Sequence, residues 1–132
     1  MKFIGSYPKT RLRRLRKSKS LRDIVSETHI SHKDLILPIF VMEGKNKIES
    51  IKSMPGINRY TIDKLPVILQ KVKRFKIPMI ALFPYTPDFK KDKLGSEALN
   101  PNNLICKSIR FVKNKFKDIG VICDVALDPY TS

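Results

Sequence analysis

Leu35-Ile36-Leu37-Pro38-Ile39-Phe40-Val41 is a compact apolar run with little alternation. That pattern belongs to a strand buried on both faces of a parallel sheet, because an antiparallel strand with one wet face would alternate. Two more apolar runs follow, Ile77 to Phe83 and Val121 to Leu127. Between the first two, Thr61 can cap a helix carrying Leu65, Ile68, Leu69, Val72 and Phe75 on one stripe, with Pro66 tolerable in its first turns. Between the second and third, Asn100-Pro101 predicts a helix start, and Ile105, Ile109, Val112 and Phe116 recur at helical spacing until Gly120. Strand, helix, strand, helix, strand implies parallel strands joined by right-handed crossovers. Both a (β/α)8 barrel and an open doubly wound sheet begin this way. The chain stops five residues after Leu127, so the expectation is an unfinished α/β unit with apolar faces and an edge still to be covered.

Upstream of this unit the chain has a different character. Met1 to Ser20 holds eight basic residues, Lys2, Lys9, Arg11, Arg13, Arg14, Arg16, Lys17 and Lys19, among a few separated apolar ones. Such a segment cannot bury itself and reads as an arm that docks on something else, or as a tail. Leu21 to Glu27 then predicts a short helix with Ser20 as its N-cap. The expected organisation is a basic arm with a short helix over 1–30 and a partial barrel of three strands and two helices over 31–132.

Bulk properties narrow the function classes. The 132 residues carry a formal net charge of +15, with 42% hydrophobic and 30% charged residues. An excess of this size is compatible with a nucleic-acid partner held through phosphate contacts. The lysines, however, are scattered through every predicted helix and loop, as a solvated Lys-rich surface would have them, and no interleaved aromatic platform accompanies them. A small nucleic-acid-binding protein using Arg11 to Lys19 therefore stands as the alternative. The longest apolar run, Leu35 to Met42, falls far short of the ~18 residues that span a bilayer. Cys106 and Cys123 do not form a CxxC pair, and no secretory segment precedes them, so a reduced, cytoplasmic protein is expected. Gly44, Gly56 and Gly95 are isolated from one another and give no phosphate loop. His29 and His32 read as residues of a solvated loop before the first strand, with no third metal ligand near them.

The stretch richest in chemistry is Asp124-Val125-Ala126-Leu127-Asp128-Pro129-Tyr130. If it is strand, alternation puts Asp124, Ala126 and Asp128 on one face and Cys123, Val125 and Leu127 on the other. Two carboxylates facing inward at the C-terminal end of a barrel strand would make a site, since barrel enzymes gather their chemistry there. The bland alternative is that Asp128 and Pro129 simply form a turn. Cys123, on the helix-facing side, reads as a small packing residue and not a nucleophile.

Six segments resemble, in order, the porphobilinogen synthase (5-aminolevulinate dehydratase) family. They are Tyr7-Pro8 through Arg11 to Arg16, Asp34 to Val41, Met54-Pro55-Gly56, Ala81 to Pro84, Gly95 to Ala98 and Asp124 to Tyr130. The resemblance implies a (β/α)8 (TIM) barrel preceded by an arm, here with Arg11, Arg13, Arg14 and Arg16, that wraps a neighbouring subunit of a homo-oligomer, usually an octamer. It implies condensation of two 5-aminolevulinate molecules into porphobilinogen, through Schiff-base lysines that lie beyond Ser132. The fragment by itself is then expected to be inactive. Zinc-dependent relatives have cysteines where Ala126 and Asp128 stand, so the resemblance is to the zinc-independent type, with Mg2+ or K+ as the implied metal. Asp128 and Asp124 are then substrate- or metal-proximal carboxylates.

Overall fold

The structure, a computed structural model, describes residues 5–132, so Lys2 of the basic run lies outside the described residues. The chain divides into two compact units, residues 1–30 and 31–132.

In the first unit a 3-10 turn, Arg14–Arg16, precedes helix α1, Lys19–Ile24. This helix starts and ends earlier than the predicted Leu21 to Glu27. Ser18, two residues upstream of the expected cap, holds the N-cap, and its hydroxyl accepts from the Leu21 N–H. Ser20 is already helical and shares a hydroxyl contact with Ser18 at 3.0 Å. Ile24 is 81% exposed, so the apolar stripe of α1 is uncovered within its own unit.

The second unit is an α/β layer built on a five-stranded sheet. Strands β1 (Ile36–Val41), β2 (Ile48–Ser50), β3 (Asn58–Tyr60), β4 (Met79–Pro84) and β5 (Gly120–Cys123) lie in the order β2-β3-β1-β4-β5. β1 pairs in parallel with β4 over its whole length, Ile36 opposite Met79 through Val41 opposite Pro84, and β4 pairs in parallel with β5. Helices α2 (Leu65–Arg74) and α3 (Leu104–Lys115) are the two crossovers. The core lies between them and one face of the sheet. Ile39, Val41, Ile80 and Leu82 meet Leu65, Leu69, Val72, Leu104, Ile105 and Val112, all buried. Of the intervening strand residues on the other face, Ile36, Pro38 and Phe83 are exposed and Phe40, Met79 and Ala81 are half-buried. Burial of every second residue follows from strand geometry once helices cover a single side.

Four sequence expectations change. Two of the five strands, β2 and β3, were not foreseen. They form an antiparallel hairpin whose second strand pairs in parallel with β1, Phe40 opposite Arg59 and Val41 opposite Tyr60. Thr61 does not cap α2 directly. A 3-10 turn, Ile62–Lys64, intervenes, and the buried Thr61 hydroxyl bonds the Lys47 backbone instead. Helix α3 begins at Leu104 and not at Pro101, because the Asn103 side chain takes the N-cap and accepts from Cys106 N–H at 2.9 Å. The third parallel strand ends at Cys123 rather than Leu127, since its last pairing is with Leu82. Cys123 lies on the same side as buried Leu82 yet is exposed, because among the described residues no helix covers that end of β5.

Candidate functional site

The carboxyl ends of β1, β4 and β5 open into three segments on one rim: Met42 to Lys47, Tyr85 to Asn103, and Asp124 to Ser132. In parallel α/β folds this is the end where ligands meet loops.

A charged cluster joins the first two segments. Lys90 Nζ donates to Glu43 Oε1 at 2.5 Å and to Glu97 Oε1 at 3.4 Å, and Asn100 Nδ2 donates to Glu97 Oε2 at 3.2 Å. The hydrogen bond to Glu43, helped by the charge of both carboxylates, raises the Lys90 pKa above the ordinary lysine value. An imine-forming lysine needs the opposite, a neutral amine within reach of neutral pH. Lys90 is therefore a strap between loops. Beside it an open cleft of about 470 Å³ is lined by Met42, Glu43, Gly44, Ile62, Lys90, Leu104 and Lys107. On the hairpin side, the Arg59 guanidinium lies 4.5 Å from the Tyr85 ring centre and pairs with Glu49 at 3.4 Å.

The third segment differs from its expected geometry. Asp124, Val125 and Ala126 have left the sheet, and Asp128 to Tyr130 form a turn closed by Tyr130 N–H donating to Leu127 O at 2.8 Å. Strand alternation therefore does not apply to Asp124, Ala126 and Asp128. Both carboxylates are exposed, and among the described residues neither has a hydrogen-bonded or ionic partner. Ala126 is half-buried. Tyr130 anchors the turn at 7% exposure, and burial pushes its hydroxyl pKa up, with Cys106, Glu97 and Cys123 adding to the effect.

The sequence reading overlooked Glu43 and Lys90, which carry no motif of their own. It also overlooked Asp92, whose signal was present: an Asp three residues before a glycine, in Asp92-Lys93-Leu94-Gly95, favours a side-chain-closed turn. Arg11, Arg13, Arg14 and Arg16 are all exposed in the first unit, Arg11 lying 5.5 Å from the Tyr7 ring centre. His29 is exposed in a loop, and His32 opens a 3-10 turn capped by Ser31 and Asp34.

As to metals, alanine offers no donor at 126, and among the described residues no three His, Cys, Asp or Glu side chains gather into a group that could hold an ion. Among the described residues, no helix is long and apolar enough to cross a membrane.

Comparison with known proteins agrees with this arrangement of strands. A delta-aminolevulinic acid dehydratase from Bradyrhizobium diazoefficiens is 48% identical over 122 residues, which are 92% of this chain and 35% of that protein. One from Chlamydia pneumoniae is 44% identical, over 92% of this chain and 37% of its own length. A crystal structure of the enzyme from Toxoplasma gondii, in complex with the reaction product porphobilinogen, superposes with a TM-score of 0.85 at 34% identity, covering 93% of this chain and 35% of that one. The fold of the second unit is thus part of a TIM barrel, and the chain spans about a third of the length of the relatives it matches. The family model for delta-aminolevulinic acid dehydratase matches residues 9–132, and the chain belongs to that family.

Proposed function

We propose that this chain is the N-terminal, zinc-independent-type portion of a dehydratase that condenses two molecules of 5-aminolevulinate into porphobilinogen with loss of water. The observation that carries the reading is the segment Asp124 to Tyr130, set at the carboxyl end of the third parallel strand in a chain that matches the family over residues 9–132. The chain supplies the first part of the barrel and part of its rim. Asp124 and Asp128 are solvent-facing carboxylates suited to meeting a cationic amine or a hard cation. The proposed metal of the complete enzyme is Mg2+ or K+, supported by alanine at 126 and a carboxylate at 128.

The chemical step needs lysine amines, and in this family those lie beyond Ser132. The 132 residues are therefore expected to be inactive without the remaining strands. Residues 1–30, with Arg11, Arg13, Arg14 and Arg16 exposed, act as an arm contacting a neighbouring protein subunit in a cytoplasmic homo-oligomer, an octamer by family, and not nucleic acid. The test is a colorimetric assay of porphobilinogen with 5-aminolevulinate as substrate. A polypeptide carrying these residues and the following strands should form product with Mg2+ or K+ and without zinc, and the 132-residue chain should form none. Product from the short chain, or a strict zinc requirement, would refute the respective part.

A further inference from the structure

We infer that Asp92 is a positioning residue: it holds the segment carrying Asp128 in place at the rim, a role in the reaction that rests on the dehydratase reading. Asp92 lies in the segment after β4 and is exposed, so it forms no part of the core. Its Oδ1 accepts from the backbone N–H of Leu94 at 2.9 Å and of Ser96 at 3.1 Å, which folds 92–96 into a closed loop. Its main chain reaches across to the other segment. The Asp92 N–H donates to Tyr130 O at 3.2 Å, and the Asp92 carbonyl accepts from the Ser132 N–H at 3.3 Å, making a parallel bridge with Thr131.

Gly95 completes the contact. It sits in the left-handed region at φ 64, and a Cβ there would lie 3.4 Å from Thr131 Cγ2 and 3.6 Å from Leu127 Cδ2. The loop closed by the Asp92 carboxylate is therefore pressed against the turn that presents Asp128. Asp124, Val125, Leu127 and Asp128 are all exposed, so the hold on this segment passes through buried Tyr130 and the bridge to Asp92. The amide donors also lower the Asp92 pKa below its ordinary value, as expected of a carboxylate that is solvated by the backbone.

A small displacement of a group at the rim is enough to slow a reaction that depends on orientation. Asp92→Ala removes the acceptor, whereas Asp92→Asn keeps an oxygen that can accept the same two N–H groups. Hydrogen exchange is measured in the 132-residue chain at positions 92, 130 and 131, with the Leu82 amide as the control for an intact core. Asp92→Ala is expected to speed exchange at those three positions by about tenfold or more, and Asp92→Asn by no more than about threefold. In the complete dehydratase polypeptide, kcat/KM should fall by about tenfold or more for alanine and by about threefold or less for asparagine.

Unchanged exchange in Asp92→Ala with the Leu82 amide still protected overturns the inference. So does an asparagine variant as impaired as the alanine variant, because a carboxylate charge rather than the turn acceptor would then be the active feature. If the alanine variant fails to protect Leu82, the asparagine variant and Gly95→Ala, which strains the same contact from the other side, decide in its place: a protected turn in Gly95→Ala overturns it, and a loosened one supports it. Absence of porphobilinogen from the complete wild-type polypeptide overturns the dehydratase reading instead, while the exchange result still decides whether Asp92 holds the loop.

Discussion

Replacing Thr61 with valine isolates one pair of hydrogen bonds from the packing around it. Thr61 is fully buried at the junction of β3 and the turn leading to α2. Its Oγ1 accepts from Lys47 N–H at 3.1 Å and donates to Lys47 O at 3.1 Å, which fastens the segment after β1 to the segment after β3. Valine keeps the shape and loses both bonds. Lys47 O retains the Thr61 N–H at 3.2 Å, so the cost concentrates on the orphaned Lys47 N–H. A buried orphan donor costs about 1–3 kcal/mol. Lys47 is an exposed residue and water can reach its amide after a small shift, which puts Thr61→Val near about 1.5 kcal/mol. With a urea slope of about 1.5 kcal/mol per molar for a domain of this size, the unfolding midpoint should drop by about 1 M. Thr61→Ser keeps the hydroxyl and loses one buried methyl, about 0.8 kcal/mol. Equilibrium urea unfolding followed by circular dichroism measures both. A valine variant within about 0.3 kcal/mol of wild type, or a serine variant costing more than valine, would refute the assignment of stability to this hydroxyl.

Two further outcomes follow from the rim. Lys90, whose amine is held protonated by Glu43 and Glu97, should remain unmodified when the chain is treated with 5-aminolevulinate and borohydride and its peptides are weighed; a reduced adduct at Lys90 would show that the strap releases a free amine. Asp63 lies beside the Thr61 hydroxyl and accepts from Asn46 N–H at 2.9 Å, and this polar setting lowers its pKa. A lowered folded pKa means that its contribution is complete above the ordinary value of 3.8 and is lost as pH falls through the depressed one. Asp63→Asn should therefore flatten the loss of stability as pH falls below 3.8, as read by urea midpoints, and an unaltered acid limb would count against the hydrogen bonding of Asp63.

The parallel core was legible because its strands are apolar runs and its helices are striped, two signals set by which side of each element meets apolar neighbours. The stripe of Leu65, Leu69 and Val72 lies where the pattern puts it, whereas β1 falls within Leu35 to Val41 but is covered on one face only, with Leu35, Ile36 and Pro38 exposed, because both helices pack on the same side. Polar short-range competition hid the rest. Asn100 and Asn103 are both good caps, and only the packing of Leu104 and Ile105 into the core selects the second. Asp124 to Leu127 alternates like a strand, but pairing ends at Leu82 opposite Cys123, and the Leu127 carbonyl is taken by its own turn. The hairpin of β2 and β3 has three residues per strand, none fully buried, so it leaves no periodicity to read. The resemblance named Gly95 to Ala98 and Asp124 to Tyr130, which lie on the rim, whereas the contacts that order the rim, Lys90 to Glu43 and Asp92 to Leu94 and Ser96, needed coordinates.

The hairpin also bears on how a cylinder can be completed. In a closed barrel the far edge of the first strand is the seam where the last strand joins it. Here β3 already occupies that edge at Phe40 and Val41. Among the described residues the stretch of that edge left without a partner strand runs from Ile36 to Ile39, at the amino-terminal end of β1 and away from the rim. The hairpin thus shields the rim end of that edge from any other strand, while the amino-terminal stretch of β1 stays open to pairing among the described residues.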